Sequence, residues 1–235
     1  MRSFLVDTLG IADAFAVVWF LAAWIGYGWF SERSRWAQNG LQDVGDQHRL
    51  RWARQLVRRE MRMTDAALVG NLMQSVSFYA STTIYIIAGL LAVLGALDQV
   101  IRFAADLPFA RESSRALSEV KLLLLLMVFV VAYFKFTWSL RQFNLLSILI
   151  GASPWLRPGH GDETIVKRLA TANSLAGDEF NRGIRAYYFG IAAVAWFIQP
   201  WLFIAVTTVV VIVLYRRDFS SSILNSLAAG MGDGP

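Results

Sequence analysis

Long apolar runs alternate with charged connections along the chain. Ile11 to Phe30, Ala66 to Leu97, Ser118 to Ile150 and Arg185 to Tyr215 are each mainly apolar. Each reaches the roughly 20 residues that a helix needs to cross a bilayer. The pattern predicts an all-α integral membrane helical bundle with four transmembrane helices. The third run is about 33 residues, roughly 50 Å as one helix. A hydrocarbon core is only about 30 Å thick, so the part beyond Lys135 should project toward the cytoplasm. Its Leu145, Leu146, Ile148, Leu149 and Ile150 then need cover from loop helices or from another subunit. Gln199-Pro200 interrupts the fourth run. A hairpin there would leave halves of about 13 to 15 residues, too short to cross, so one helix kinked at Pro200 is expected. The first run is expected to be a retained span, because Asp7 and Asp13 interrupt it and it continues to Phe30, unlike a signal peptide.

Polar positions inside these runs are not scattered. Asn71, Gln74, Ser75, Thr82, Tyr85 and Gly89 recur at helical spacing on one face of span two. On span three, Lys121, Lys135, Trp138, Ser139 and Gln142 share a face, with Thr137, Arg141 and Asn144 roughly opposite. On span four, Asn181, Arg185, Tyr188, Ala192, Ala195 and Gln199 form a line. Polar groups in hydrocarbon are costly unless paired, so these faces should meet protein, water or a partner. One outcome is helix–helix contact through small and amide side chains, at about 0.6 kcal/mol per hydrogen bond. The other is a polar, basic cavity opening to the cytoplasm. Asn71, Gln74, Ser75, Lys135, Arg141, Gln142, Asn144, Asn181, Arg185 and Gln199 are its candidate residues. Lys135, Arg141 and Arg185 each need an acid, a snorkelling route or a bound anion. Asp65, Glu60 and Glu179 are the candidate acids, and Lys121 is expected to snorkel at the outer interface.

The connections set the orientation. The first carries Arg33, Arg35, Arg49, Arg51, Arg54, Arg58, Arg59 and Arg62, and the third carries Arg157, Lys167, Arg168 and Arg182. The second has only Arg102, Arg111 and Arg115. The positive-inside rule places loops 31–65 and 151–184 in the cytoplasm and both termini outside, against the vote of Arg216 and Arg217. Gln47 to Asp65 lacks Gly and Pro and reads as a basic amphipathic helix, with Leu50, Ala53, Leu56, Val57 and Met61 on one face. It either lies on the cytoplasmic leaflet or packs on the ends of the spans. Gly151 to Gly159 breaks span three, and Asp162 to Asn181 predicts a short helix. Residues 1–219 thus read as one four-span membrane domain, and 220–235 as a C-terminal tail with a short helix and a Gly-rich end.

Composition agrees with a membrane protein. Hydrophobic residues are 56% and charged residues 17% of 235, and mean hydropathy is +0.47. The pI of about 9.8 reflects loop arginines facing anionic lipid, and no nucleic-acid module accompanies it. With no cysteine, disulfides, thiolate metal sites and cysteine nucleophiles are excluded. The two histidines, His48 and His160, lie in connections at spacings that match no metal site. No phosphate loop, zinc-protease helix or serine elbow is present, so no cofactor and no enzymatic activity are expected.

Three blocks resemble a known family. They are Arg58-Arg59-Glu60-Met61-Arg62-Met63-Thr64-Asp65 leading into Gln74 to Ser81, Phe136-Thr137-Trp138-Ser139-Leu140-Arg141-Gln142-Phe143-Asn144, and Phe180-Asn181-Arg182-Gly183-Ile184-Arg185-Ala186-Tyr187-Tyr188. Together they are similar to the uncharacterised polytopic membrane protein family catalogued as domain-of-unknown-function family number 599. The resemblance spans about residues 10 to 215 and implies four spans with no assigned reaction. The expectation is therefore a multi-pass protein of the bacterial inner membrane in contact with anionic lipids, a homo-oligomer that binds or passes a small anionic or polar solute. The alternative is a non-catalytic scaffold or accessory subunit of a larger membrane complex.

Overall fold

The structure, a computed structural model, describes residues 10–33, 40–105, 114–154 and 163–219. The C-terminal tail, His160 and Arg157 lie outside these residues. Every regular element among them is helical: α1 (Ile11–Arg33), α2 (Leu41–Leu56), α3 (Met63–Gly95), α4 (Leu97–Ala105), α5 (Arg115–Ala152), α6 (Glu163–Val194), a 3₁₀ turn (Ala195–Phe197) and α7 (Pro200–Phe219). Among the described residues, three helices are long and apolar enough to cross a membrane: α1, α3 and α5. Their bounds fall within a few residues of the first three apolar runs.

The fourth run departs from expectation. It is not one kinked helix but two helices, broken where the chain tightens at Ala195–Phe197 and restarts at Pro200. Pro200 occupies the first position of α7, where its missing N–H costs nothing. The objection that each half would be short fails on the first side. The expected short helix from Asp162 and the start of span four are one helix, and α6 is 32 residues long. No Gly-Pro pair separates them, and the polar residues between find partners. On the other side, α7 reaches Arg216 and Arg217 after 16 apolar-rich residues, about 24 Å of helix.

The chain packs as two compact units, and the long helices contribute to both. The first unit holds α1, α3 from Thr82, α4, α5 to Tyr133, α6 from Ile184, and α7 to Tyr215. Its contacts run in strict order along the helices. Asp13 meets Trp196, Phe20 meets Phe189 and Phe203, and Glu32 meets Arg185. Trp19 donates to Thr208, and Phe30 lies beside Tyr215. Hence α6 runs antiparallel to α1 and α7 runs parallel to it. The pair α6–α7 is a hairpin, stacked at its turn by Trp196 on Phe203 with centroids 5.4 Å apart. The hairpin sets Tyr215, near the end of α7, beside Phe30, near the end of α1. The core of this unit is aromatic: Phe20, Phe189, Trp196 and Phe203 are all fully buried.

The second unit holds α2, α3 to Ser81, α5 from Phe134 and α6 to Gly183. The expected helix Gln47–Asp65 is displaced here. It starts earlier, at Leu41, ends at Leu56, and a non-helical link precedes Met63. Asp65 explains the break: fully buried in the first turn of α3, its Oδ1 accepts from Trp52 at 2.8 Å and from Arg59 at 2.6 Å, folding the link back on itself. Ala53, Leu56 and Val57 are buried as expected of that face, whereas Met61 lies outside the helix and is exposed. The apolar side of α2 faces the protein, and α2 is tied to α6 by Gln42 to Asp178 at 2.6 Å and Arg54 to Glu163 at 2.8 Å. Arg62 caps the far end of α5, donating to the carbonyls of Ile150, Ser153 and Pro154 at 2.6–2.9 Å. These carbonyls end a helix with no intrahelical donors left, so a guanidinium is well matched to them.

Candidate functional site

The line on span two that the sequence singles out points outward. Asn71, Gln74, Ser75, Tyr85 and Gly89 are all exposed, and Thr82 is half-buried. The buried face of α3 is instead Asp65, Val69, Val76, Ala80 and Thr83. Neither amide makes a side-chain hydrogen bond among the described residues, and Ser75 Oγ turns back to donate to the Asn71 carbonyl.

The candidate cations are separated. Lys135 lies 3.0 Å from Glu179, which also receives Arg182. Glu179 is buried, with two cations a third exposed around it, so this triad carries a formal charge of +1. Arg185 is buried and pairs at 3.0 Å with Glu32, an acid at the end of α1 that is not among the sequence candidates. The signal was present, since Glu32 closes the first apolar run. Arg141 stacks on Trp138 at 5.6 Å and has no ion-pair partner among the described residues. Lys121 does not snorkel. It is buried, its ammonium 5.7 Å from the Trp196 ring centroid and 6.0 Å from that of Phe197. Trp196 donates to Asp13, so the Asp13 end of the first unit holds a buried acid and a buried cation around one indole. Asn144 and Gln199 are exposed and Asn181 is half-buried. Asp65 and Glu60 do not serve the candidate cations: Asp65 pairs with Arg59, and Glu60 is exposed on the link.

One concave site gathers polar and apolar groups of the second unit. A groove of about 460 Å³ opens between α5 and α6. Leu145, Leu149 and Leu175 form its floor, and Gln142, Thr164, Thr171, Lys167 and Arg168 its polar lining. Antiparallel packing of α5 on α6 builds it. Ser139 Oγ, buried, donates to the Ala176 carbonyl at 2.7 Å and fixes the register. Gly183 lets the Phe136 ring lie on the α6 backbone, where Tyr79 and Phe180 hold it at centroid distances of 5.5 and 5.8 Å. The groove begins beyond that lock. At its mouth, the hydrogen bond from Arg54, aided by its charge and that of Lys167, holds the Glu163 carboxyl below its ordinary range. Glu163 is thus anionic and engaged by Arg54. Arg168 has no ion-pair partner among the described residues. Leu145 and Leu175 are each 52% exposed, so the floor is open to a ligand. Such a groove can hold an anionic group at one side and a hydrocarbon chain along the other. Gln142 is the one sequence candidate that it contains. Lys167 and Arg168 were legible as charges of the predicted Asp162–Asn181 helix, but nothing in the sequence shows that helix lining a groove with α5. No group of three or more metal-ligating side chains occurs among the described residues.

The three sequence blocks now have physical roles. Block one folds the α2–α3 link through Arg59, Arg62 and Asp65. Block two supplies Phe136 and Ser139, and block three supplies Arg182, Gly183, Arg185 and Tyr187, whose hydroxyl lies 2.7 Å from that of Thr83. No curated protein and no solved structure matches the chain. The family model described as "Protein of unknown function, DUF599" matches residues 15–223, and the chain belongs to that family.

Proposed function

We propose that this is a non-catalytic multi-pass membrane protein that binds an anionic lipid in the α5–α6 groove, with the arginine-rich α2 side facing the cytoplasm. The observation that carries the reading is the juxtaposition of Lys167 and Arg168 with the exposed leucine floor. A small anionic group bound there would be held by charge, and a chain attached to it would cover Leu145, Leu149 and Leu175. Anionic lipids of the cytoplasmic leaflet attract such groups by about 1 kcal/mol per Lys or Arg near the surface. The hairpin placement of Arg216 and Arg217 supports the same sidedness.

The test is native mass spectrometry of the protein purified in mild detergent, then exposed to phosphatidylglycerol, phosphatidylcholine or inorganic phosphate. Retention of phosphatidylglycerol alone, lost in K167E/R168E, is the expected result. Retention of phosphate alone identifies a small-anion site, and equal retention by wild type and variant overturns the reading. A second reading, a scaffold inside a larger membrane complex, is favoured by one observation: the uncovered polar line on α3.

A further inference from the structure

We propose that Glu163, held by Arg54, reads the headgroup at the α5–α6 groove and restricts it to phosphodiesters whose alcohol carries hydroxyl groups, as glycerol does. The inference rests on the lipid reading of that groove and names the ligand class within it.

The first support is the order of side chains along the α6 wall. Starting beside the Ser139–Ala176 lock, Leu175 and Ala172 come first, then Thr171, then Arg168 and Lys167, and Thr164 last. The wall passes from apolar to cationic between Leu175 and Lys167, about 12 Å of helix. The α5 floor adds Leu145 and Leu149, with Gln142 its one polar member. A lipid has the same order: chain, phosphate, then the alcohol esterified to that phosphate. With the phosphate at Lys167 and Arg168 and the chain toward Leu175, the alcohol falls on the next turn of α6. That turn is the helix start, Glu163 and Thr164.

The second support is the state of the carboxylate there. Glu163 Oε1 accepts from Arg54 Nη2 at 2.8 Å, and both side chains are about half exposed. No donor among the described residues reaches Oε2. Lys167, four residues on, adds its charge to that of Arg54, so the carboxyl stays ionised. An ionised carboxyl accepts hydrogen bonds and donates none. A hydroxyl on the alcohol satisfies it. A second anionic oxygen in that place meets like charge, and a phosphomonoester, at about −1.5 to −2, brings one. An ammonium there meets Arg54, which already neutralises the carboxylate. Lys167 and Arg168 alone would favour the most highly charged ligand, and Glu163 opposes that preference.

Native mass spectrometry reads the choice directly. The full-length protein in mild detergent is offered phosphatidylglycerol, phosphatidic acid and phosphatidylethanolamine in equal amounts with identical acyl chains. Wild type should retain phosphatidylglycerol over each of the others by roughly fivefold or more. E163Q should reverse the order of phosphatidylglycerol and phosphatidic acid, since the cations then act unopposed. R54Q should move the ratio the other way, sharpening rejection of phosphatidic acid and admitting phosphatidylethanolamine. Both variants break the same exposed pair, which holds little of the fold, so a merely structural role shifts both in one direction. Such a common shift, an unchanged ratio in E163Q, or equal wild-type retention of phosphatidylethanolamine and phosphatidylglycerol overturns the proposal, while K167E/R168E still abolishes retention. No retention at all, or equal retention by K167E/R168E and wild type, overturns the groove reading and this proposal with it.

Discussion

Glycine to alanine inside a helix ordinarily stabilises by about 1 kcal/mol. At Gly183 the sign should reverse. A Cβ there would lie 2.7 Å from Cδ1 and 2.8 Å from Cζ of Phe136, and closer still to Cε1. The ring would have to retreat by roughly 0.7 Å or more to reach ordinary contact, a shift that well-packed interiors resist. Phe136 is fully buried, stacked on Tyr79 and tilted against Phe180. Forcing an extra methyl into such packing costs about 1–3 kcal/mol. Since the ring is held on two sides, the upper half of that range applies, and G183A should lose about 1–2 kcal/mol after the helix gain is subtracted. Gly45 on α2 is the control, because a Cβ there meets nothing within 4 Å. G45A should therefore gain about 0.5–1 kcal/mol. Unfolding in mild-detergent micelles, followed by circular dichroism, reads both. F136L removes the offending ring atoms, so G183A/F136L should be less destabilised than the sum of its parts by about 1 kcal/mol or more. A stabilised G183A, or strict additivity in the double variant, would refute the reasoning.

Two further outcomes follow from charges in the second unit. E179Q should cost about 1–3 kcal/mol, less than a fully buried pair because Lys135 and Arg182 are each a third exposed, and K135M should restore part of it in the same unfolding assay. Burial, reinforced by the nearby Asp46 charge, raises the Asp178 carboxyl above 3.8. The native state thus holds this proton more tightly than the unfolded chain and loses stability as pH rises from 3.8 through the raised value. Replacement by the isosteric amide in D178N should flatten the fall of the unfolding midpoint as pH rises above 3.8, and an unchanged pH profile would count against it.

The spans were legible because a bilayer imposes one length on every crossing helix, and α1, α3 and α5 meet it without help from neighbours. The α6–α7 hairpin was not. Pro200 was visible, but whether it kinks or ends a helix depends on what precedes it. The continuity of α6 through Asp178 and Glu179 rests on Gln42 and Lys135, which arrive from distant positions, and on Arg182 one turn along the same helix. Periodicity told which α3 residues share a face but not which face is inside. In water an apolar face turns inward, whereas in lipid both faces are apolar. Val69, Val76 and Ala80, which read like lipid-facing positions, are the buried ones, while Asn71 and Gln74 face out. The pairing of Arg185 with Glu32 joins residues 153 apart, beyond any local pattern.

Parallel α1 and α7 have a consequence for anyone who would join copies of this chain end to end. Ile11 and Tyr215 stand at opposite ends of the first unit, so a linker that joined α7 of one copy to α1 of the next would have to travel the length of that unit, about 35 Å for the 23 residues of α1. A Gly/Ser coil spans about 5–6 Å times the square root of its length, so it needs on the order of 40 residues to reach that far.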